Sequence, residues 1–357
     1  MSNLQIGLAI AGGLILAAVV AHGAWSARKN QPKLATAEVA SSEPLAQTVD
    51  GDPAERQEPS FDGDTASSAA STFALLPSLE KKPGLDALID VIATVAIDGV
   101  VSGEAALAAM PATRRAGSKP YGVEGMNVAF AQWELPAAGQ RYSAFQCGVQ
   151  LANRLGALNQ IEYSEFVMKT QAFADAISGE PEFPDMLEEV ARARELDQFA
   201  SAHDAQLSFT LRATHTAWSP GYVAQNAAKL GFVAGSIPGR MVLPATERGE
   251  RGAAPLLGLS FDTQAAMAED PEQTALREVT LSLDVPQVAR DEQPFVRMRE
   301  SAAALASSMG GVVMDDNGNL IAPVAMDVIA SELEQLYDTL DARDLSAGSV
   351  LARRLFS

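Results

Sequence analysis

Three histidines, one cysteine and several acidic clusters are the side chains of this 357-residue sequence with chemistry to offer. His22, His203 and His215 are isolated, with no spacing that would bring two of them onto one metal ion. Cys147 stands in Tyr142–Leu151, where Phe145, Cys147, Val149 and Leu151 share one phase of a strand. With no histidine near it in sequence, it reads as a buried, inert thiol rather than a nucleophile. Asp315-Asp316-Asn317-Gly318-Asn319 begins like a calcium loop. Its glycine falls two residues early, however, and Met326 stands where a bidentate glutamate is needed. A hairpin turned at Asn317-Gly318 is the better reading. Glu188-Glu189 and Glu332–Glu334 lie opposite apolar helix faces and read as solvated surface. The sequence has no glycine-rich phosphate loop, G-x-S-x-G elbow or C-x-x-C pair. The expectation is therefore a binding protein and not an enzyme, with no catalytic residue, metal, cofactor or small-molecule substrate.

Charge narrows the partners. Lys and Arg number 26 against 45 Asp and Glu, a formal net charge of −19. Nucleic acid is excluded, because phosphate binding needs cationic neutralisation. Lying flat on an anionic leaflet is equally disfavoured. The single cysteine forbids an internal disulfide framework and suits a reducing compartment.

The elements that must position a binding surface begin with an anchor. Leu4–Trp25 carries no Lys, Arg, Asp or Glu, and is long enough to cross the roughly 30 Å hydrocarbon core as a helix. Met1–Asn3 has no basic side chain, while Arg28, Lys29 and Lys33 follow the span. A cleaved signal peptide would show the opposite arrangement and a small-x-small site. The positive-inside rule then predicts residues 1–3 outside and the rest in the cytoplasm. Residues 26–83, rich in Ala, Ser, Glu, Asp, Pro and Gln, read as a disordered linker, spanning about 40 Å as a flexible coil.

Beyond the linker the expected class is α+β: antiparallel sheet of the split β-α-β type with helices on one face. In 84–202 strands are predicted at Leu88–Ile97, ended by Asp98-Gly99, at Met126–Leu135 and at Tyr142–Leu151. Helices are predicted over Gly103–Met110, Ser164–Ile177 and Asp185–Ala202, with the breaker-rich 179–184 between the last two. A second and better-defined cycle fills 203–342. Leu207, Phe209 and Leu211 alternate with polar residues, as do Val279, Leu281, Leu283 and Val285. Two further strands lie at Arg240–Leu243 and Leu256–Phe261. Ser219-Pro220 starts a helix and Gly231 ends it. Another helix runs from Phe295 to Met309 and stops at Gly310-Gly311. The last carries Ile329, Leu333, Leu336, Tyr337 and Leu340 on one face. The order β-α-β-β-α-β thus occurs twice, with 84–202 either a first copy or an elaborated insertion, and 343–357 a tail. An RNA-recognition reading of this order fails: the strands present Ser208, Thr210, Thr280, Ser282 and Asp284 where stacking aromatics are needed.

Both ends of the chain resemble the bacterial cell-division family ZipA. Val20–Lys29, with its His-Gly-x-Trp and Arg-Lys elements, is similar to the end of that family's membrane anchor. Gly310–Asp316, followed by Leu320, Pro323 and the terminal helix, resembles its helix–hairpin–helix ending. Ala227–Phe232 and Leu283–Pro286 are weaker matches between them. The resemblance covers about 4–29 and 207–340. It implies an inner-membrane anchor of the division ring that binds the FtsZ C-terminal tail in a shallow groove on the open sheet face, at the division site, and supports septum formation. Carried over by strand, that groove comprises Thr210, Met241, Leu243, Phe261, Ser282 and Asp284. Ala129, Ala131 and Trp133 offer an alternative face in the first half, and self-association stays open. The competing reading is an exported, membrane-anchored envelope or cell-wall-binding protein. Aromatics at 6% of the sequence, with none clustered for carbohydrate stacking, argue against it.

Overall fold

A computed structural model describes residues 84–245, 255–270 and 274–357. The expected membrane span at 4–25 and the linker at 26–83 lie outside the described residues. Among the described residues, no helix is long and apolar enough to cross a membrane.

The first sheet is laid down by β1 (Asp90–Ser102), α1 (Gly103–Ala109), β2 (Arg115–Ala116), β3 (Lys119–Asn127), β4 (Trp133–Glu134) and β5 (Arg141–Gln150). A small hairpin follows, β6 (Ala152–Asn153) with β7 (Gly156–Ala157). Then come α2 (Gln160–Ala176), β8 (Gly179–Glu182) and α3 (Met186–His203). The strands pair antiparallel in the order β2-β3-β5-β1-β8, with β4 on the outside of β3. Val91, Ala93 and Val95 of β1 share a face with Phe145, Cys147 and Val149 of β5, all buried. Helix α2 covers that face: Phe166 meets Tyr121 at 6.2 Å between ring centroids, and Phe173 meets Phe145 at 5.4 Å. The N-cap of α2 is Asn159, with Glu162 closing a capping box.

Three expectations change here. Strand β1 does not stop at Asp98-Gly99 but runs through to Ser102, with a register shift between Ala96 and Val101. The strand expected at Met126–Leu135 ends at Asn127, whose side chain accepts from the Ala129 amide at 2.8 Å and turns the chain. Ala129 and Ala131 therefore lie in a turn, Ala131 at φ +50°, and do not form a strand face with Trp133. Within the breaker-rich 179–184, Gly179–Glu182 forms β8, where Pro181 pairs with Val95. Proline is tolerated there because an edge strand leaves one side of its backbone unpaired.

The second sheet comprises β9 (Gln206–Ala213), α4 (Pro220–Ala228), β10 (Val233–Ala234), β11 (Arg240–Leu243), β12 (Leu257–Ser260), α5 (Thr263–Ala266), β13 (Glu278–Asp284), α6 (Pro294–Met309), β14 (Gly311–Met314) and α7 (Pro323–Asp341). Its order is β10-β11-β12-β13-β9-β14, again antiparallel throughout. Ser219 caps α4 with Pro220 in its first turn, and Gly231 follows it at φ +90°. The hairpin after β14 is wider than a two-residue turn. Gly318 donates to the Asp315 carbonyl, Asp315 donates to the Asn319 carbonyl, and Gly318 sits at φ +81°. This is a three-residue loop closed by a left-handed glycine. Its return arm is a single bridge from Leu320 to Met314.

The inner order β3-β5-β1-β8 of the first sheet matches β12-β13-β9-β14 of the second. A helix follows the first strand in each (α1, α4), another precedes the last strand (α2, α6), and a third follows it (α3, α7). The tail is docked. Helix α8 (Val350–Leu355) buries Leu355 and Phe356. Arg354 donates to Asp90 at 2.5 Å and to the Gly84 carbonyl, and Gln150 donates to the Arg354 carbonyl at 2.8 Å. Gln287, beyond β13, donates to the Phe356 carbonyl at 2.7 Å.

Candidate peptide-binding face

Cross-strand register decides which side chains share a face, because a shift of one residue exchanges the two faces. Leu281 pairs with Phe209 and Leu259, and Leu259 pairs with Met241. These four face α6, where Phe209 meets Phe295 at 6.3 Å. The opposite face carries Ser208, Thr210 and Arg212 of β9, and Thr280, Ser282 and Asp284 of β13. Gly258, Ser260 and Val242 continue it toward Val233. Ser282 and Arg212 are exposed, Thr210, Thr280 and Val242 half-buried.

Of the six residues implied by the resemblance, Thr210, Ser282 and Asp284 come together on this open face. Met241 and Leu243 do not: they are 7% and 8% exposed on the helix side. Phe261 is half-buried and packs against the same core. Val242 takes the outward place instead. Sequence alternation showed that Met241 and Leu243 face the same way, but a four-residue strand of mostly apolar residues gave no sign of which way.

Local bonds shape the face. Arg212 and Glu278 form an ion pair across β9 and β13 at 2.6 Å. The Ser208 hydroxyl donates to Asp316 of the hairpin loop, which ties that loop to the sheet. Met314, opposite Thr210, is thereby buried on this side. At the other end a cleft of about 380 Å³ opens between Gly258, Ser282, Asp284, Leu256, Arg154 and Phe356. Arg154 reaches Asp204 at 2.6 Å and Asp284 at 2.8 Å. Those two carboxylates, Asp204 first, hold its guanidinium proton above the ordinary arginine range. Its charge is thus committed within the fold.

The face therefore offers threonine and serine hydroxyls, a glycine step and one deep end. Such a surface suits an extended chain whose backbone bonds to these hydroxyls and which inserts a small number of side chains. Burial pushes the Cys147 thiol up to about 11, so the thiolate, the reactive form, is suppressed. It faces α2, on the other side of the first sheet. Sequence reasoning missed Trp218, fully buried with its indole N–H donating to the Met309 carbonyl at 2.9 Å. Its ring fills the space left by Gly311, where an added Cβ would come within 2.9 Å.

No curated protein matches the chain. The family model described as ZipA, C-terminal FtsZ-binding domain, matches residues 264–332. That stretch runs from within α5 through β13, α6 and β14 into α7, and contains Ser282 and Asp284 of the open face. Over residues 264–332, then, the chain is similar to the C-terminal FtsZ-binding domain of ZipA.

Proposed function

We propose that the chain tethers FtsZ filaments to the cytoplasmic face of the bacterial inner membrane, at the division site. The observation that carries this reading is the match of 264–332 to an FtsZ-binding domain, whose strand β13 runs through the centre of the uncovered sheet face. The FtsZ C-terminal tail lies across Thr210, Thr280, Ser282 and Val242 as an extended segment, with one side chain in the cleft beside Asp284. The span at 4–25 supplies the anchor, and the linker at 26–83 the reach. A modest tail affinity suffices, because many tails on one filament meet many anchored copies and the attachments multiply. Catalysis has no part in this scheme.

Ser282→Arg tests it. The position is exposed and central, so the substitution leaves the core alone while it fills the face. Titrating the purified full chain with a labelled FtsZ C-terminal peptide should give saturable binding, weakened more than tenfold by the substitution. Wild-type binding that the substitution does not disturb would move the tail off this face.

A further inference from the structure

The face of the first sheet that corresponds to the open face of the second is not bare. Gly122 of β3 and Gly148 of β5 pair directly, and Leu85 lies over them. A Cβ added to Gly148 would come within 2.6 Å of a Leu85 methyl, and one added to Gly122 within 3.4 Å. Neither glycine has a left-handed backbone, so what they provide is room. The amides of Gly84 and Leu85 both donate to one oxygen of Glu124, at 3.2 Å from Leu85. Gln146 donates to the other oxygen at 2.8 Å. Glu124 is 1% exposed, a buried carboxylate satisfied by the segment that lies on it. Arg354 donates to the Gly84 carbonyl. A short segment is thus held by backbone hydrogen bonds on both sides and by one leucine in a socket, as a docked peptide would be.

In the second sheet the matching pair is Gly258 and Ser282, and over them lies the cleft of about 380 Å³. We infer that the first sheet is a second peptide-binding face closed in cis, with Leu85 as the plug and Gly84–Asp86 in the place of an outside peptide. The naming of the FtsZ tail as that outside peptide rests on the proposed function; the plug itself does not. Among the described residues of the native chain the second sheet is then the sole acceptor.

Calorimetric titration of the full chain in detergent with the FtsZ C-terminal peptide tests this. The comparison is between wild type, Leu85→Gly and Leu85→Gly/Gly148→Leu, with amide hydrogen exchange followed over 84–97. The expected stoichiometry is one peptide per chain for wild type, two for Leu85→Gly, and one again when Gly148→Leu refills the socket. The Leu85 amide should exchange slowly in wild type and fast in the Leu85→Gly chain, while β1 stays protected in both. A wild type that binds nothing and a Leu85→Gly chain that binds one peptide would remove the reading of the second sheet and keep the plug. Stoichiometry unchanged by Leu85→Gly, with 84–86 released, overturns the inference. So does fast exchange at Leu85 in wild type, or slow exchange there in the variant. Leu85→Ala gives the same readings if Leu85→Gly costs β1 its protection.

Discussion

Asp90 is fully buried at the start of β1, and its carboxylate finds its cation in Arg354. Burial raises its carboxyl above the usual aspartate range, while the charge and hydrogen bond of Arg354 pull the other way. Arg354→Met removes that pull and leaves a buried charge unpaired. Arg354 is itself a quarter exposed, so the cost at neutral pH is about 3 kcal/mol, the lower end of the range for breaking a buried pair. A folded-state value raised above the unfolded one means that the folded form holds the proton more tightly. The stability it contributes is then complete below the ordinary carboxyl range and lost as pH rises through the raised value. Urea melts of the Arg354→Met chain should therefore show a smaller deficit relative to wild type at mildly acid pH than at neutral pH. An equal deficit at both would remove Asp90 from the explanation. Residues of this kind were the least legible in sequence. Cys147 declared itself as buried through strand alternation. Glu124, at an outward position of β3, gave no sign that Gly84 and Leu85 would cover it from 39 or more residues away.

Element by element, regular periodicity gave reliable expectations and short segments did not. The helices from Met186, Pro294 and Pro323 lie where apolar spacing predicted them, whereas the one expected from Ser164 starts at Gln160, because Asn159 and Glu162 close a capping box ahead of it. Strand β8 was missed because its Gly-Glu-Pro-Glu sequence satisfies edge pairing rather than intrinsic strand preference. The hairpin after β14 was expected, but its loop holds one residue more, because the Asp315 carboxylate takes the amides of Asn317 and Asn319 at 2.9 and 2.7 Å. Gly318 closes that loop in a left-handed conformation. Gly318→Ala should cost about 1 kcal/mol, read as a lower thermal midpoint. It should also raise hydrogen exchange at 315–319 while leaving β13 unchanged. An unchanged midpoint would mean that the loop relaxes into a turn without the left-handed residue.

Taken whole, the described residues pair two sheets of one topology, and the proposed function uses them at the end of a tether. Removing residues 4–25 should then leave the affinity for an FtsZ tail peptide unchanged and abolish recruitment of FtsZ filaments to lipid vesicles, as followed by co-sedimentation. Filaments still brought down with vesicles by the shortened chain would sink the tether. The duplicated topology was legible as a repeated order of elements, since each half carries its own alternating strands and amphipathic helices. What sequence could not show is that the two faces differ in occupancy, because that depends on one leucine and two glycines brought together by long-range pairing. The Asp90–Arg354 pair has one more consequence, which concerns time. Arg354 is 264 residues downstream of its partner, so at ribosomal rates Asp90 waits roughly a quarter of a minute to a minute before its cation exists. Through that interval the nascent first half can bury Asp90 only without its cation, in the protonated, neutral form that burial favours. Final closure of the fold is thereby deferred until α8 has cleared the exit tunnel.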